Sequence, residues 1–189
     1  AIDEDKHHHT VFYLDGVMVE NHYDFLNIAS HYSSRTIESY LKEEATRSTE
    51  VLTVDGATIY LPSVDCHALF LLRHAASHFA AIGIVLRHVI DWGLFVKRHH
   101  KDINWDRLRS ICHEQNMEEF LDAMSTMASE ICNMDLSLIP GTQRRISLER
   151  RILCDILEPE FSTKRPDKGT IRIITFKLRR WWANRWKHR

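Results

Sequence analysis

The residues best suited to chemistry in this sequence lie within its most apolar stretch, residues 63–100. Six polar side chains are embedded there: His67, His74, His78, Arg87, His88 and Asp91. His74 and His78 are four residues apart, as are Arg87 and Asp91, so each pair shares one face of a helix. Because an unpaired charge is costly to bury, such groups are either paired or face a cleft. Two interpretations stay open: an intrahelical ion pair with two histidines at the edge of the core, or a wall that faces a ligand.

A second candidate pair is Glu20 with His22. Both follow the dipeptide Asp15-Gly16 in a run of alternating apolar and polar residues, which predicts a strand. Alternate residues of a strand share a face, so this carboxylate and this imidazole project together. They could bind a metal ion or a polar ligand, and simple exposure to solvent is the alternative.

The elements that position these residues are two hairpins and a helix pair. The segments VFYL-DG-VMVE and VLTV-DG-ATIYL each carry the Asp-Gly turn of a type I′ hairpin. Val64 to Ile82 repeats apolar residues at helical spacing, and Gly83 predicts where this helix ends and a second, buried on more than one side, begins. Helices are also predicted over Asp24–Ser33 and Ser34–Arg47, with Ser34 and Ser63 as N-caps.

The C-terminal half is predicted to be entirely helical. Amphipathic patterns cover Asn104–Gln115, Glu118–Cys132 and Ser147–Leu157, followed by a linker over 159–169. The predicted class is therefore α+β: a small antiparallel sheet from two hairpins packed on a core helix pair, followed by an all-helical C-terminal half. Three segments are expected, residues 1–100, 101–158 and 159–189.

The tail is strongly basic although the chain as a whole is not. Residues 164–189 carry ten Lys and Arg against one Asp, a balance of +9, so the remaining residues sum to −10 within a total of −1. The pattern of Gly169–Arg189 predicts an amphipathic helix whose apolar stripe packs on the acidic body. Contact with an anionic membrane or with nucleic acid is the alternative. The stripe consists of Ile171, Ile174, Leu178, Trp181 and Trp182.

Composition excludes several classes of protein. With 189 residues, 44% hydrophobic and 27% charged, the chain can bury a full core. Its four cysteines contain no C-x-x-C pair, so neither a zinc knuckle nor a disulfide framework is indicated, and reduced thiols fit a cytoplasmic protein. No uncharged run of 18 apolar residues and no signal peptide occur.

Familiar catalytic motifs are missing from the sequence. His74 and His78 have the H-x-x-x-H spacing of zinc peptidases, but Ala75 occupies the position of the general-base glutamate. No Walker A segment, dinucleotide fingerprint or nucleophile elbow is found.

The order of three short segments nevertheless resembles a known family. VENH at residues 19–22, LLRHAASH at 71–78, and LRHVIDW at 86–92 after a glycine resemble the uncharacterised nucleotidyltransferase family, a bacterial branch of the polymerase-β superfamily. The resemblance implies a metal-dependent transfer of a nucleotidyl group from a nucleoside triphosphate to an unknown small-molecule or protein acceptor, with Mg²⁺ as cofactor.

The resemblance also assigns roles to individual residues. Glu20 is implied as a metal-binding carboxylate and, with His22, as a catalytic residue. The nucleotide side is implied to be lined by His74, His78, Arg87 and Asp91. The superfamily's G-S and D-x-D strand is expected before His7, where this sequence reads AIDEDK. Two alternatives follow: that strand belongs to a longer protein, or the chain is a degenerate relative that serves as a non-catalytic binding or regulatory module.

Overall fold

A computed structural model describes residues 9–26, 28, 32–47, 50–81, 83–159, 166 and 168–188. It confirms an α+β chain with a helical C-terminal half. The strands are β1 (His9–Leu14), β2 (Val17–His22), β3 (Val51–Val54) and β4 (Ala57–Tyr60). The helices are α1 (Tyr32–Arg47), α2 (Val64–Ala81), α3 (Leu86–His99), α4 (Trp105–Glu114), α5 (Glu118–Ile131), α6 (Ile146–Leu157) and α7 (Thr170–Asn184), with 3₁₀ turns at Leu136–Leu138 and Arg185–His188.

Both predicted hairpins form, and their turns have the expected chemistry. Asp15 and Gly16 have φ of 50° and 81°, and Asp55 and Gly56 repeat this conformation, as a type I′ turn requires. Each hairpin forms its own two-stranded antiparallel sheet, and among the described residues no strand pairing joins them. This corrects the expectation of one shared sheet. The strands of the second hairpin are exposed along their whole length, their apolar side chains included.

The two compact units of the chain are residues 1–70 with 102–104, and residues 71–101 with 105–189. These units do not test the predicted division of the chain at residues 100 and 158, which stays a prediction. Within the described residues, no helix combines the length and apolar character needed to cross a bilayer.

In the first unit, the segment before α1 departs from prediction. Asp24, Phe25 and Leu26 form a bend and not a helix, and the rest of the predicted helix 24–33 lies largely outside the described residues. The buried Glu38 carboxylate accepts hydrogen bonds from the backbone N–H groups of Phe25 (3.1 Å) and Leu26 (2.9 Å). A partner 12 residues away thereby replaces the intrahelical bonds. Helix α1 begins at Tyr32, so Ser34 lies inside it and is not its N-cap.

The helix pair is confirmed, with its boundary at Gly83. Ser63 caps α2, since its Oγ accepts the Cys66 N–H at 3.0 Å. At the other end the Gly83 N–H donates to His78 O at 2.8 Å, with Gly83 at φ +92°, the conformation of a helix C-terminal glycine.

Helix α3 buries one face, which corrects the expectation that it is buried on more than one side. Val85 and Leu86 at its start and Leu94 in its second half are exposed. The buried face consists of Val89, Trp92, Gly93, Phe95 and Val96.

Helix α5 is the centre of the second unit and packs closely on α3. Its residues from Phe120 to Ala128 are all buried. The Trp92 Nε1 donates to Ser125 Oγ at 3.1 Å. Gly93 permits this approach, because a Cβ there would lie 2.7 Å from Cys132 Sγ and 3.1 Å from the Ala128 Cβ.

The C-terminal segment docks in the second unit, but not through the predicted stripe. Arg180 donates to the Ala81 carbonyl at the end of α2, where a cation also complements the helix dipole. Trp186 meets the Phe79 ring edge-on, with centroids 5.3 Å apart. The five residues of the predicted stripe are all more than half exposed, so the prediction that they pack on the body is wrong. They are Ile171, Ile174, Leu178, Trp181 and Trp182.

Candidate functional site

The Glu20 and His22 side chains share one face of β2, as the strand pattern predicts. The Glu20 Oε2 lies 3.7 Å from the His22 Nε2, and both side chains are a little over 40% exposed. A carboxylate is the oxygen ligand that Mg²⁺ prefers, whereas imidazole suits softer metals. Among the described residues, no further acidic or histidine side chain completes a group of three ligands here. The pair therefore offers one ligand for a hard cation and a neighbouring hydrogen-bonding ring.

The Arg87 and Asp91 side chains form the expected intrahelical pair. The Arg87 Nε lies 3.3 Å from the Asp91 Oδ2, one turn along α3. The side chain of Arg87 is 85% exposed, so the pair is not embedded in the core as the apolar sequence around it suggested. An exposed pair at this spacing contributes only about 0.3–0.5 kcal/mol to stability. The Arg87 guanidinium is therefore bound only weakly by Asp91 and is accessible to an anionic ligand.

The His74 and His78 rings meet a third histidine. His74 and His78 on α2 have ring centroids 4.5 Å apart, and His88 in the first turn of α3 lies 5.7 Å from His74 and 5.2 Å from His78. One ring nitrogen from each lies within 4.8 Å of the others. Spacing alone identified the α2 pair but not His88 as their partner, because that contact depends on the turn at Gly83.

The backbone of Val85 holds the His88 ring in place. The His88 Nδ1 lies 3.2 Å from the Val85 nitrogen and 3.3 Å from the Val85 oxygen. In one tautomer Nδ1 accepts from the backbone N–H, and in the other it donates to the carbonyl and leaves the lone pair on Nε2. Either bond fixes the ring at the N-terminus of α3.

Their surroundings favour the neutral form of two of these rings. His74 still reaches solvent, but the protein around it desolvates the ring and lowers its pKa, and His78 and His88 lower it further. Burial likewise lowers the pKa of His88, and the hydrogen bond to Val85 opposes this effect. His78 lowers the pKa further, whereas Asp91 raises it slightly and Arg87 lowers it slightly. Both imidazoles are therefore predominantly neutral at pH 7.

The six predicted site residues fall into two groups. Glu20 and His22 belong to the first compact unit. The four residues implied to line the nucleotide belong to the second unit: His74, His78, Arg87 and Asp91.

Comparison with known proteins identifies the family. Residues 1–133 match the model of a family described as uncharacterised nucleotidyltransferase. The chain belongs to this family. The match includes all six predicted site residues and ends just after α5. No curated protein and no solved structure matches the chain. Family membership supports a function of the nucleotidyl-transfer kind.

Proposed function

We propose that this protein transfers a nucleotidyl group from a nucleoside triphosphate to an acceptor, with Mg²⁺ as cofactor. The observation that carries the proposal is the family match over residues 1–133, which contains an exposed carboxylate on a hairpin strand and an exposed guanidinium on a helix. The acceptor is a small molecule or a protein that presents a nucleophile such as a hydroxyl group.

Glu20 fits Mg²⁺ as one ligand and does not complete a site. A two-metal centre needs several carboxylate or phosphate oxygens, and Glu20 is accompanied by an imidazole instead. The remaining carboxylates would come from outside the described residues. When bound, Mg²⁺ offsets the charge on the triphosphate and on the leaving pyrophosphate.

The side chains of this chain then have distinct tasks. Glu20 holds the cation, and the His22 Nε2, 3.7 Å from the Glu20 Oε2, places a second polar group beside it. Arg87 binds phosphate oxygens, because its planar guanidinium keeps its proton at every working pH. Asp91 orients Arg87 through the 3.3 Å contact between the Arg87 Nε and the Asp91 Oδ2. We assign His74 and His78 to the nucleotide side as well.

Calorimetric titration of the full-length protein with ATP and GTP, with and without Mg²⁺, tests this proposal. Glu20→Gln keeps the shape and removes the charge, so it should weaken Mg²⁺-dependent binding by about 1.5–3 kcal/mol, the scale of a lost charged contact. Arg87→Ala should weaken binding comparably. Asp91→Ala should weaken it only about twofold, because the exposed ion pair contributes only about 0.3–0.5 kcal/mol.

Two exposed residues provide matched controls. Glu50→Gln removes an exposed carboxylate of the first unit, and Arg98→Ala removes an exposed guanidinium of α3. Both variants should bind like the parent. Absence of triphosphate binding would refute the proposal, and so would binding by Glu20→Gln and Arg87→Ala that is as tight as the parent's. Binding that is independent of Mg²⁺ and Glu20 would instead support a non-catalytic binding module.

A further inference from the structure

Three imidazoles converge at the turn between α2 and α3. His74 and His78 lie on successive turns of α2, and His88 faces them from the first turn of α3. Among the described residues this is the one group in which three metal-binding side chains offer ligand atoms close together, all within 4.8 Å. Histidines four residues apart on a helix are a recurrent half of zinc sites.

We propose that His74, His78 and His88 bind a divalent transition-metal ion of the zinc class. Zinc–nitrogen bonds of about 2.0–2.1 Å in tetrahedral geometry place ligand nitrogens roughly 3.4 Å apart. The three nitrogens already lie within 4.8 Å of one another. Rotations about the side-chain torsions supply the remaining contraction of roughly 1.4 Å without moving either helix.

The donor set selects the metal. Three imidazoles and no carboxylate suit Zn²⁺, Cu²⁺ or Ni²⁺ and do not suit Mg²⁺, which needs oxygen ligands. The site is thus chemically distinct from the one assigned to Glu20. Three protein ligands leave a fourth position for water or another ligand, the arrangement of an open zinc site.

Two features of the structure prepare the site for a metal. The Nδ1 of His88 lies 3.3 Å from the Val85 carbonyl, and a metal-binding histidine usually donates its other ring N–H to such a group. His74 remains exposed while His78 and His88 are half-buried, so an ion can enter from solvent and then be enclosed. The lowered pKa values of His74 and His88 agree with this role, since only neutral imidazole binds a metal.

The bound ion would tie α2 to α3 across Gly83. These helices are joined by residues 82–85, and a metal that bridges them stabilises the folded state by mass action. The inference does not rest on the proposed function, because Zn²⁺ binding is measured without any nucleotide.

Zinc titration of the metal-free, full-length protein is the test. The run His7-His8-His9 can also bind Zn²⁺, so all three are replaced by Gln in the parent used for comparison. We expect one equivalent of Zn²⁺ to bind and Mg²⁺ not to compete. We expect each single replacement, His74→Gln, His78→Gln or His88→Gln, to weaken Zn²⁺ binding at least about tenfold. Even the loss of a residue that only hydrogen-bonds a metal ligand lowers metal affinity about 10–100-fold.

The matched control is His67→Gln, at an exposed position of the same helix, which should bind Zn²⁺ like the parent. Melting of each variant with and without Zn²⁺ separates metal binding from folding. The parent should gain thermal stability with Zn²⁺, and the three site variants should gain none relative to their own metal-free melting. If the parent binds no Zn²⁺, or if the three variants bind and gain stability like the parent, the site is wrong and the histidines only pack together.

Discussion

The ammonium of Lys187 lies 2.5 Å from the carboxylate of Asp155, and both side chains are almost completely buried. The same pair lies beside Gly83, where a Cβ would be 3.3 Å from the Asp155 Oδ2 and 3.8 Å from the Lys187 Nζ. The C-terminal 3₁₀ turn is thus anchored to α6 at the turn that positions His88. Loss of this anchor should affect both stability and the histidine cluster.

Lys187→Met should therefore lower the free energy of unfolding by about 3–5 kcal/mol, because it removes the cation that lies 2.5 Å from the buried Asp155 carboxylate. Urea unfolding measures the change. Lys177→Met removes an exposed lysine of α7 and should change stability by less than about 0.5 kcal/mol. Equal unfolding midpoints for the two variants would show that the ion pair does not anchor the segment.

Gly93→Ala should destabilise the protein by about 1–3 kcal/mol although alanine favours helices by about 1 kcal/mol. The new methyl group would lie 2.7 Å from Cys132 Sγ and 3.1 Å from the Ala128 Cβ. Cys132→Ala should relieve the first contact only, so the double variant should recover part of the loss. Equal or greater stability of Gly93→Ala would mean that α3 and α5 are not packed this closely.

The sequence was sufficient for elements whose cause is local. Asp15-Gly16 and Asp55-Gly56 specify their turns by their own backbone preferences, and Gly83 specifies a helix end in the same way. Helical periodicity then located α2 and most of the C-terminal helices to within two residues.

Features set by distant partners could not be predicted in this way. The bend at Phe25 depends on Glu38, which lies 13 residues further along the chain. His88 joins His74 and His78 only because of the direction that the chain takes after Gly83. The side of α7 that contacts the rest of its unit carries Arg180 and the buried Asn184. Because these residues are polar, an apolar pattern could not identify this side and indicated the opposite one.

The four cysteines should differ sharply in reactivity. Burial raises the pKa of the Cys112 thiol to about 12, and burial together with the charges of Glu44 and Glu38 raises that of Cys66 to about 11. At pH 8 the Cys66 thiolate is therefore only roughly a thousandth of the total, and thiolate is the reactive form. Cys154 is exposed.

Iodoacetamide at pH 8 should accordingly modify Cys154 first, and Cys66 and Cys112 only after unfolding in guanidinium, as peptide mass spectrometry would show. Raising the pH toward 11 increases the Cys66 thiolate but leaves its sulfur buried, so its modification should still lag behind that of Cys154. Rapid modification of Cys66 in the native protein would contradict its burial.

Helix α7 presents an apolar stripe on the side opposite its anchored face. Phe176, Arg180 and Asn184 recur every four residues and line a cavity of about 260 Å³ with Ala80 and Ala81. At 3.6 residues per turn, most of the exposed stripe projects away from these three residues, while Trp181 also borders the cavity. Exposed basic residues lie on either flank of the stripe. The flanking residues are Arg172, Lys177 and Arg179. A tryptophan-rich stripe between cations suits the interface of an anionic bilayer.

We therefore expect the intact chain to sediment with vesicles that contain phosphatidylglycerol, more weakly as salt rises and not with purely neutral vesicles. Replacement of both Trp181 and Trp182 by Ser should abolish this binding, because the two rings are each about 60% exposed and provide much of the stripe. Leu157→Ser removes an even more exposed apolar side chain (74%) from α6 and should have no effect. Salt-sensitive binding to duplex DNA together with no binding to anionic vesicles would assign the basic flanks to nucleic acid. Binding to neither would leave the C-terminal segment with only its anchoring role at Asp155 and Phe79.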